Sequence, residues 1–141
     1  MTYEGNGDTG EGVPHRRRIP HYHGNETRVI FFAGAVVLIV AQSTGAELPL
    51  STFGAVLSAV LLVIVAGITN PAQGWIHWLN EFIAIYGTLL FGTTAVEHYR
   101  SGTSVLEPSF LFIETLALLS LVGLYFTTRT IRGFHLRPSH P

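Results

Sequence analysis

The chain has 141 residues, of which 48% are hydrophobic and 12% are charged, and its formal net charge is −1. Between Val29 and Val96 the only acidic or basic side chains are Glu47 and Glu81, whereas a water-soluble helical fold needs a polar face on every helix. This pattern excludes an ordinary soluble domain, and the absence of cysteine excludes disulfides and thiolate metal sites.

The first 26 residues differ in composition from the rest of the chain. Residues 1–14 contain four glycines, three acids and few apolar side chains, so burial cannot offset the entropy that is lost on ordering. The basic cluster Arg16, Arg17 and Arg18 follows, and each arginine near an anionic leaflet contributes about 1 kcal/mol toward the membrane surface. We therefore predict a flexible cytoplasmic tail over residues 1–26, whose three arginines bind lipid headgroups.

The first two apolar segments predict transmembrane spans at about 28–46 and 49–69. The first follows a predicted helix cap at Asn25 or Thr27, and its uninterrupted apolar run has 13 residues, against about 20 for a full crossing. The second begins at Pro49, a residue that the first turn of a helix tolerates. The first span is therefore expected either to tilt little or to end in a partly polar last turn.

The third and fourth apolar segments predict spans at about 74–97 and 104–130. Trp75 and Trp78 at the start of the third are typical of a membrane interface. Pro108 falls in the first turn of the fourth, where its missing N–H leaves no helical hydrogen bond unmade. The chain is therefore expected to cross the bilayer four times.

The arginines predict the orientation of this transmembrane domain, residues 27–132. With a cytoplasmic N-terminus, seven of the eight arginines lie on the inner side and only Arg100 lies outside, in agreement with the positive-inside rule. The sequence predicts an all-α, multi-pass protein of the cell inner membrane, a four-helix bundle of two transmembrane hairpins. Both ends, including the short tail 133–141, are expected in the cytoplasm. Four spans bury only a modest core, so we expect a homo-oligomer.

Two glutamates, Glu81 in the third span and Glu114 in the fourth, fall at membrane depth. Ionisable groups there cost about 2.5–3.5 kcal/mol on insertion scales, so each glutamate should face protein or water instead of lipid. At a rise of about 1.5 Å per residue, Glu81 lies roughly 10 Å and Glu114 roughly 20 Å from the inner edge. The two acids predict either a path for cations or protons, or a pair of hydrogen-bonded groups that lock helix contacts.

Each of these glutamates has a predicted neighbour. His77 lies one turn before Glu81, so the two can form a hydrogen-bonded pair, relay a proton or contribute to a metal site, although two ligands are too few to specify a metal. Thr88 shares the helix face of Glu81 and comes out level with Glu114, which it can contact if that face packs on the fourth helix. His77 and Thr88 are therefore placed on the same predicted path.

Glu97 and Glu107 make the predicted outer mouth acidic, since both fall about 30 Å or more from the inner edge. Each also has a structural interpretation. Glu107 precedes Pro108 at a helix start, where a carboxylate interacts favourably with the helix dipole. Glu97 is three residues before Arg100 and can pair with it at the interface.

No motif in the chain indicates catalysis or a cofactor. The sequence has no phosphate loop, no nucleophile with its base and no strong metal-ligand spacing. His77 and His98 stand at opposite ends of one predicted helix and cannot supply the two facing ligands of a haem. We predict a protein that is not an enzyme and has no cofactor. Its expected partners are membrane lipids, further copies of itself and a cation or proton, with no nucleic acid.

Two functions of different classes remain open. The first is a small homo-oligomeric cation channel or proton-coupled transporter, with the intramembrane glutamates lining the path. The second is a non-catalytic membrane scaffold or accessory subunit, whose buried glutamates fix helix packing. We expect the positions of the two carboxylates to distinguish them, because tight protein contacts and no adjoining cavity favour the second.

Overall fold

The computed structural model describes residues 22–136, which form four α-helices and no β-strand. The helices are α1 (Gly24–Ser43), α2 (Thr52–Ile68), α3 (Gly74–Arg100) and α4 (Pro108–His135). The predicted all-α class is confirmed. The predictions made for Arg16, Arg17 and Arg18 lie outside the described residues.

Three of the helices, α1, α3 and α4, are long and apolar enough to cross a membrane. The short one is α2, whose 17 residues extend about 25 Å, against about 30 Å of hydrocarbon. α1 reaches 20 residues because it begins at Gly24, upstream of both predicted caps. His23 occupies the N-cap position without a side-chain cap, and its carbonyl accepts from both the N–H and the hydroxyl of Thr27. The second helix, not the first, is therefore the shortest.

The connection between α1 and α2 is shaped by a glycine and a serine. Gly45 has a φ of +75°, the left-handed conformation that commonly follows a helix C-terminus. Ser51 caps α2, because its Oγ accepts from the N–H of Gly54 at 3.1 Å. This cap places the start of α2 at Thr52, three residues after the predicted start at Pro49.

The helices pack in the order α3, α4, α1, α2, and α2 makes little contact with α3. Successive helices run in opposite directions. At one end of the molecule, the starts of α1 and α3 meet the ends of α2 and α4, and we call this the terminal end. We call the opposite end, which holds the connecting residues 44–51 and 101–107, the loop end. The N–H of His23 donates to Thr130 at 3.1 Å at the terminal end, and that of Glu47 donates to Ser109 at 3.0 Å at the loop end.

Three helices are joined by hydrogen bonds at Thr69, the buried C-cap residue of α2. Nη2 of Arg28 on α1 donates to the carbonyl of Thr69, and Nδ2 of Asn80 on α3 donates to its Oγ1 at 3.1 Å. The Thr69 hydroxyl in turn donates to the carbonyl of Val65 at 2.8 Å. The guanidinium also interacts favourably with the negative end of the α2 dipole. This junction ties α2 to α3 at a place where the two helices otherwise hardly touch.

We expect Thr69→Val to lower the free energy of unfolding by about 1 kcal/mol. The substitution preserves side-chain shape but removes the acceptor for Asn80, whose buried amide is then left without a partner. Thermal unfolding in detergent measures the effect. Thr93→Val is the matched control, because that exposed hydroxyl bonds only to carbonyls of its own helix. Equal losses in both variants would contradict a role for the Thr69 junction.

Candidate functional site

The site is centred on Glu81, whose carboxylate lies between two consecutive threonines of α4. Thr128 Oγ1 donates to Glu81 Oε1 at 2.8 Å, and Thr127 Oγ1 donates to Oε2. Both oxygens of the acid are therefore held by the neighbouring helix. We call this group of three residues the Glu81 clamp.

The two threonines have different environments. Thr127 is buried between the helices, whereas Thr128 is exposed on the outside of α4. Consecutive residues on a helix point about 100° apart, so Glu81 spans the edge of the contact between α3 and α4. Glu81 itself is half-buried. A single interior threonine would have left one carboxylate oxygen without a protein donor.

The geometry of the Glu81 clamp suits either protonation state of the acid. Thr127 Oγ1 has one proton and lies 3.1 Å from the carbonyl of Leu124 as well as beside Glu81. An ionised Glu81 accepts this proton, whereas a neutral Glu81 can donate its own to Thr127, whose proton then goes to Leu124. Every buried polar atom of the pair keeps a partner in both arrangements, which limits the cost of placing an acid at membrane depth.

His77 does not act as the partner of Glu81. Its side chain is 2% exposed, and its Nε2 has no hydrogen-bond partner within residues 22–136. The imidazole instead packs against aromatic rings, with its centroid 5.7 Å from that of Tyr22 and 4.9 Å from that of Phe134. The predicted pair is absent because the Glu81 carboxylate is turned toward the α4 hydroxyls, whereas the His77 ring is turned toward Tyr22 and Phe134.

Glu114 and Thr88 are not bonded to each other either. The Thr88 hydroxyl donates to the carbonyl of Ala84 in its own helix at 2.7 Å. Glu114 is half-buried and makes no hydrogen bond or ion pair with any residue in the described range. The structure therefore places these two acids of the long apolar helices in contrasting situations, one with two donors and the other with none from this part of the chain.

Glu97 and Glu107 lie at the loop end and are exposed. Within residues 22–136 the recorded ion pair is His23 with Glu26 at 3.6 Å, so Glu97 and Arg100 do not pair there. Glu107 is the N-cap residue of α4, directly before Pro108, but its carboxylate makes no capping hydrogen bond. Its position fits the dipole interpretation, since the charge stands at the helix start.

Buried polar side chains are concentrated at the terminal end. Six of the seven buried polar side chains in the described range belong to this half, and the seventh is at the loop end. The six are Thr27, Thr69, His77, Asn80, Thr127 and Thr130, and the seventh is Ser109. Toward the loop end the interior is closed by apolar side chains, including Leu38, Phe91, Ile113 and Leu116. Buried polar groups thus do not continue from Glu81 through the interior of one chain.

A cavity of about 220 Å³ lies where α2 and α3 separate, and all four helices contribute to its walls. Its lining is almost wholly apolar, with Phe31, Leu62 and Leu90 among the larger side chains, and the hydroxyls of Ser58 and Ser120 reach it. Neither Glu81 nor Glu114 lines this cavity. The cavity therefore adds no polar volume next to either carboxylate.

Sequence reasoning predicted that Glu81 faces protein or water but missed its donors Thr127 and Thr128. Their signal was the pair of consecutive hydroxyls about five turns along α4, in a mostly apolar helix and near the depth of Glu81. Comparison of the chain with protein-family models, with curated proteins and with solved structures found no match. The function must therefore be argued from the site alone.

Proposed function

We propose that the protein is a non-catalytic membrane scaffold or accessory subunit, in which Glu81 fixes α3 against α4. The observation that carries this proposal is the Glu81 clamp, because both carboxylate oxygens accept hydrogen bonds from one neighbouring helix. A transported cation would have to displace these hydroxyls or share the carboxylate with them. A carboxylate whose two oxygens both accept hydrogen bonds from the neighbouring helix is better suited to holding the helices together than to exchanging ions.

The apolar interior toward the loop end supports the same proposal. An ion crossing a single chain would pass the layer of Leu38, Phe91 and Ile113, which offers no oxygen to replace its hydration shell. The 220 Å³ cavity does not help, because its walls are apolar and it does not meet either intramembrane acid. The interior of one chain thus contains polar groups that bond one helix to another. Within the part of the chain that the structure describes, it does not contain a continuous row of polar groups along which an ion could pass.

Glu114 favours a second candidate, a cation or proton path formed between copies of the chain. This acid is half-buried and unpartnered within the described residues, and an intramembrane acid in that condition should face another protein surface or water. In a homo-oligomer, Glu114 would line the contact between subunits, with Glu97 and Glu107 at its mouth. Conduction would then run beside the four helices and not through them.

A reconstituted flux assay separates the two candidates. In proteoliposomes we expect no flux of H⁺, Na⁺, K⁺ or Ca²⁺ above that of empty vesicles, because the interior offers no continuous polar path. Glu114→Gln and Glu81→Gln are matched variants, since each replaces one carboxyl group with an amide of similar shape. A parental flux that Glu114→Gln abolishes and Glu81→Gln leaves unchanged would replace the scaffold proposal with the path between subunits.

The proposed placement is a four-helix bundle that crosses the cell membrane four times, with both termini in the cytoplasm. The chain has no cysteine, so single cysteines can report the side of each loop. We expect a membrane-impermeant maleimide to label Ser104→Cys but not Gln73→Cys in intact cells. Labelling of Gln73→Cys but not Ser104→Cys would contradict this placement, and would also arise if the short α2 did not cross.

A further inference from the structure

At the terminal end, the Arg28 guanidinium is a cation without a matching acid among the residues that the structure describes. Arg28 is half-buried, and its Nη2 is used on the Thr69 carbonyl, a neutral acceptor. No carboxylate lies within 4.0 Å of it among residues 22–136, and its Nε is enclosed with no hydrogen-bond partner. Removing a charge from water is costly unless an opposite charge and hydrogen bonds compensate it. The described protein supplies Arg28 with neither a counter-charge nor an acceptor for Nε.

Two more polar groups of this region have no partner in the described part of the chain. His77 Nε2 and Asn80 Oδ1 are buried and unbonded, and the two side chains are 2% and 1% exposed. Both lie on the first two turns of α3, and Asn80 shares Thr69 with Arg28 through its Nδ2. Buried polar atoms nearly always have partners. The Nε–H of Arg28 and an Nε2–H of His77 need an acceptor, whereas Asn80 Oδ1 needs a donor, so the first two point to a missing acceptor.

Tyr22 extends this polar region toward the surface. Its ring packs against the His77 ring in a T-shaped arrangement, with an interplanar angle of 87°. Burial raises the pKa of the Tyr22 phenol, an effect that the nearby Arg28 charge opposes and the Glu26 carboxylate reinforces. The phenol is therefore a protonated hydroxyl at neutral pH, in electrostatic range of the guanidinium and able to donate a hydrogen bond.

We propose that Arg28, Tyr22 and His77 form a binding site for a phosphate group, supplied by an anionic phospholipid at the terminal end of the helices. Phosphate provides the negative charge that Arg28 lacks, and its oxygens accept from the guanidinium N–H groups, from the phenol O–H of Tyr22 and from the Nε2–H tautomer of the His77 imidazole. In the proposed placement these residues are near the inner headgroups, where lipid phosphates are abundant. This site is distinct from the Glu81 clamp, and it differs from the general attraction of Arg16, Arg17 and Arg18 to an anionic surface.

The test is a ligand titration of the full chain in neutral detergent, followed by thermal unfolding. The probes are dihexanoyl phosphatidylglycerol, dihexanoyl glycerol with the same tails and no phosphate, and inorganic phosphate. We expect the phospholipid to raise the unfolding temperature saturably and the glyceride to have no comparable effect. Saturable protection by inorganic phosphate at equal concentration would support a phosphate site while assigning it to a soluble source, not to the lipid.

The variants separate this site from general charge attraction. Arg28→Gln should weaken the apparent phospholipid affinity about tenfold or more, because a charge-assisted contact is lost. Tyr22→Phe keeps the ring against His77 and removes only the hydroxyl, so about a fivefold loss is expected. Arg132→Gln removes an equal charge from an exposed position of α4 at the same end and should change the affinity less than twofold.

Two results would overturn the phosphate site. One is equal protection by the glyceride and the phospholipid, which would assign any stabilisation to the acyl chains. The other is equal loss of affinity in Arg28→Gln and Arg132→Gln with no change in Tyr22→Phe, which would leave only surface attraction. If Arg28→Gln does not fold because the Thr69 junction is broken, Tyr22→Phe still decides the question. Neither result bears on the flux assay, so the scaffold proposal stands or falls separately.

Discussion

Replacing Glu81 with leucine is expected to lower the free energy of unfolding by about 1–3 kcal/mol, although it removes an acid from an apolar helix. The clamp contributes two hydrogen bonds between α3 and α4, and such bonds within a membrane average about 0.6 kcal/mol and reach about 1.7 kcal/mol. The threonines left behind can bond to carbonyls of their own helix, as Thr127 can with Leu124. The loss should therefore come from the helix contact and not from stranded hydroxyls.

Glu81→Gln gives the intermediate case, because the amide keeps one acceptor oxygen and exchanges the other for a donor. We expect about half of the destabilisation seen with leucine. Glu114→Gln is the control: its carboxylate has no partner within the described residues, so a change below about 0.5 kcal/mol is expected for the single chain. Thermal or denaturant unfolding in detergent provides the comparison.

Spin labels can show whether the clamp holds the two helices together. The absence of cysteine allows a pair of labels on exposed positions of α3 and α4 without background. Glu81→Leu should broaden the distribution of distances between α3 and α4, whereas Glu114→Gln should leave it unchanged. An unaltered distribution and stability in Glu81→Leu would remove the basis of the scaffold proposal.

Gly87→Val is expected to destabilise the protein by about 2–3 kcal/mol, by forcing apart α3 and α4 at a second point. A Cβ at Gly87 would lie 2.5 Å from Ser120 Oγ and 3.2 Å from Ser120 Cβ. The hydroxyl can rotate away, but the Cβ contact requires the helices to shift, and overpacked cores typically lose 1–3 kcal/mol. Close approach here also supports the clamp geometry, because both contacts lie on the same pair of helices.

Gly92→Val is the matched control for Gly87→Val. It makes the same substitution later in α3, where a Cβ would meet no atom within 4 Å. The difference between the two variants therefore reports packing and not the change in helix propensity. Adding Ser120→Gly to Gly87→Val should recover part of the lost stability. Equal effects at the two glycines, or no rescue, would show that this contact does not limit the approach of the helices.

Much of the fold could be predicted from residue types because a membrane-compatible helix follows from local composition. An uninterrupted apolar segment satisfies its backbone internally, so the four helices were predictable without any knowledge of their neighbours. Their ends were less predictable. α2 begins at Thr52 because Ser51 caps it, and α1 begins upstream of Asn25 and Thr27 because the His23 carbonyl accepts the first bonds.

The Glu81 site was only partly predictable. Periodicity placed Glu81 and His77 on one helix face, from which a hydrogen-bonded pair was the natural expectation. The actual donors, Thr127 and Thr128, are 46 and 47 residues away along the chain. Spacing within one helix carries no information on such a distant partner, so the choice between a local and an interhelical bond could not be made from the sequence.

By itself, the sequence determined an all-helical chain with acids inside long apolar segments, since apolar segment length and charge position are local properties. Only the tertiary structure decided how those acids are used. It bonded Glu81 to α4, left Glu114 without a partner in the described range, and turned His77 toward aromatic rings. The physical reason is that a carboxylate takes the nearest suitable donors, and which donors are nearest depends on how the helices pack.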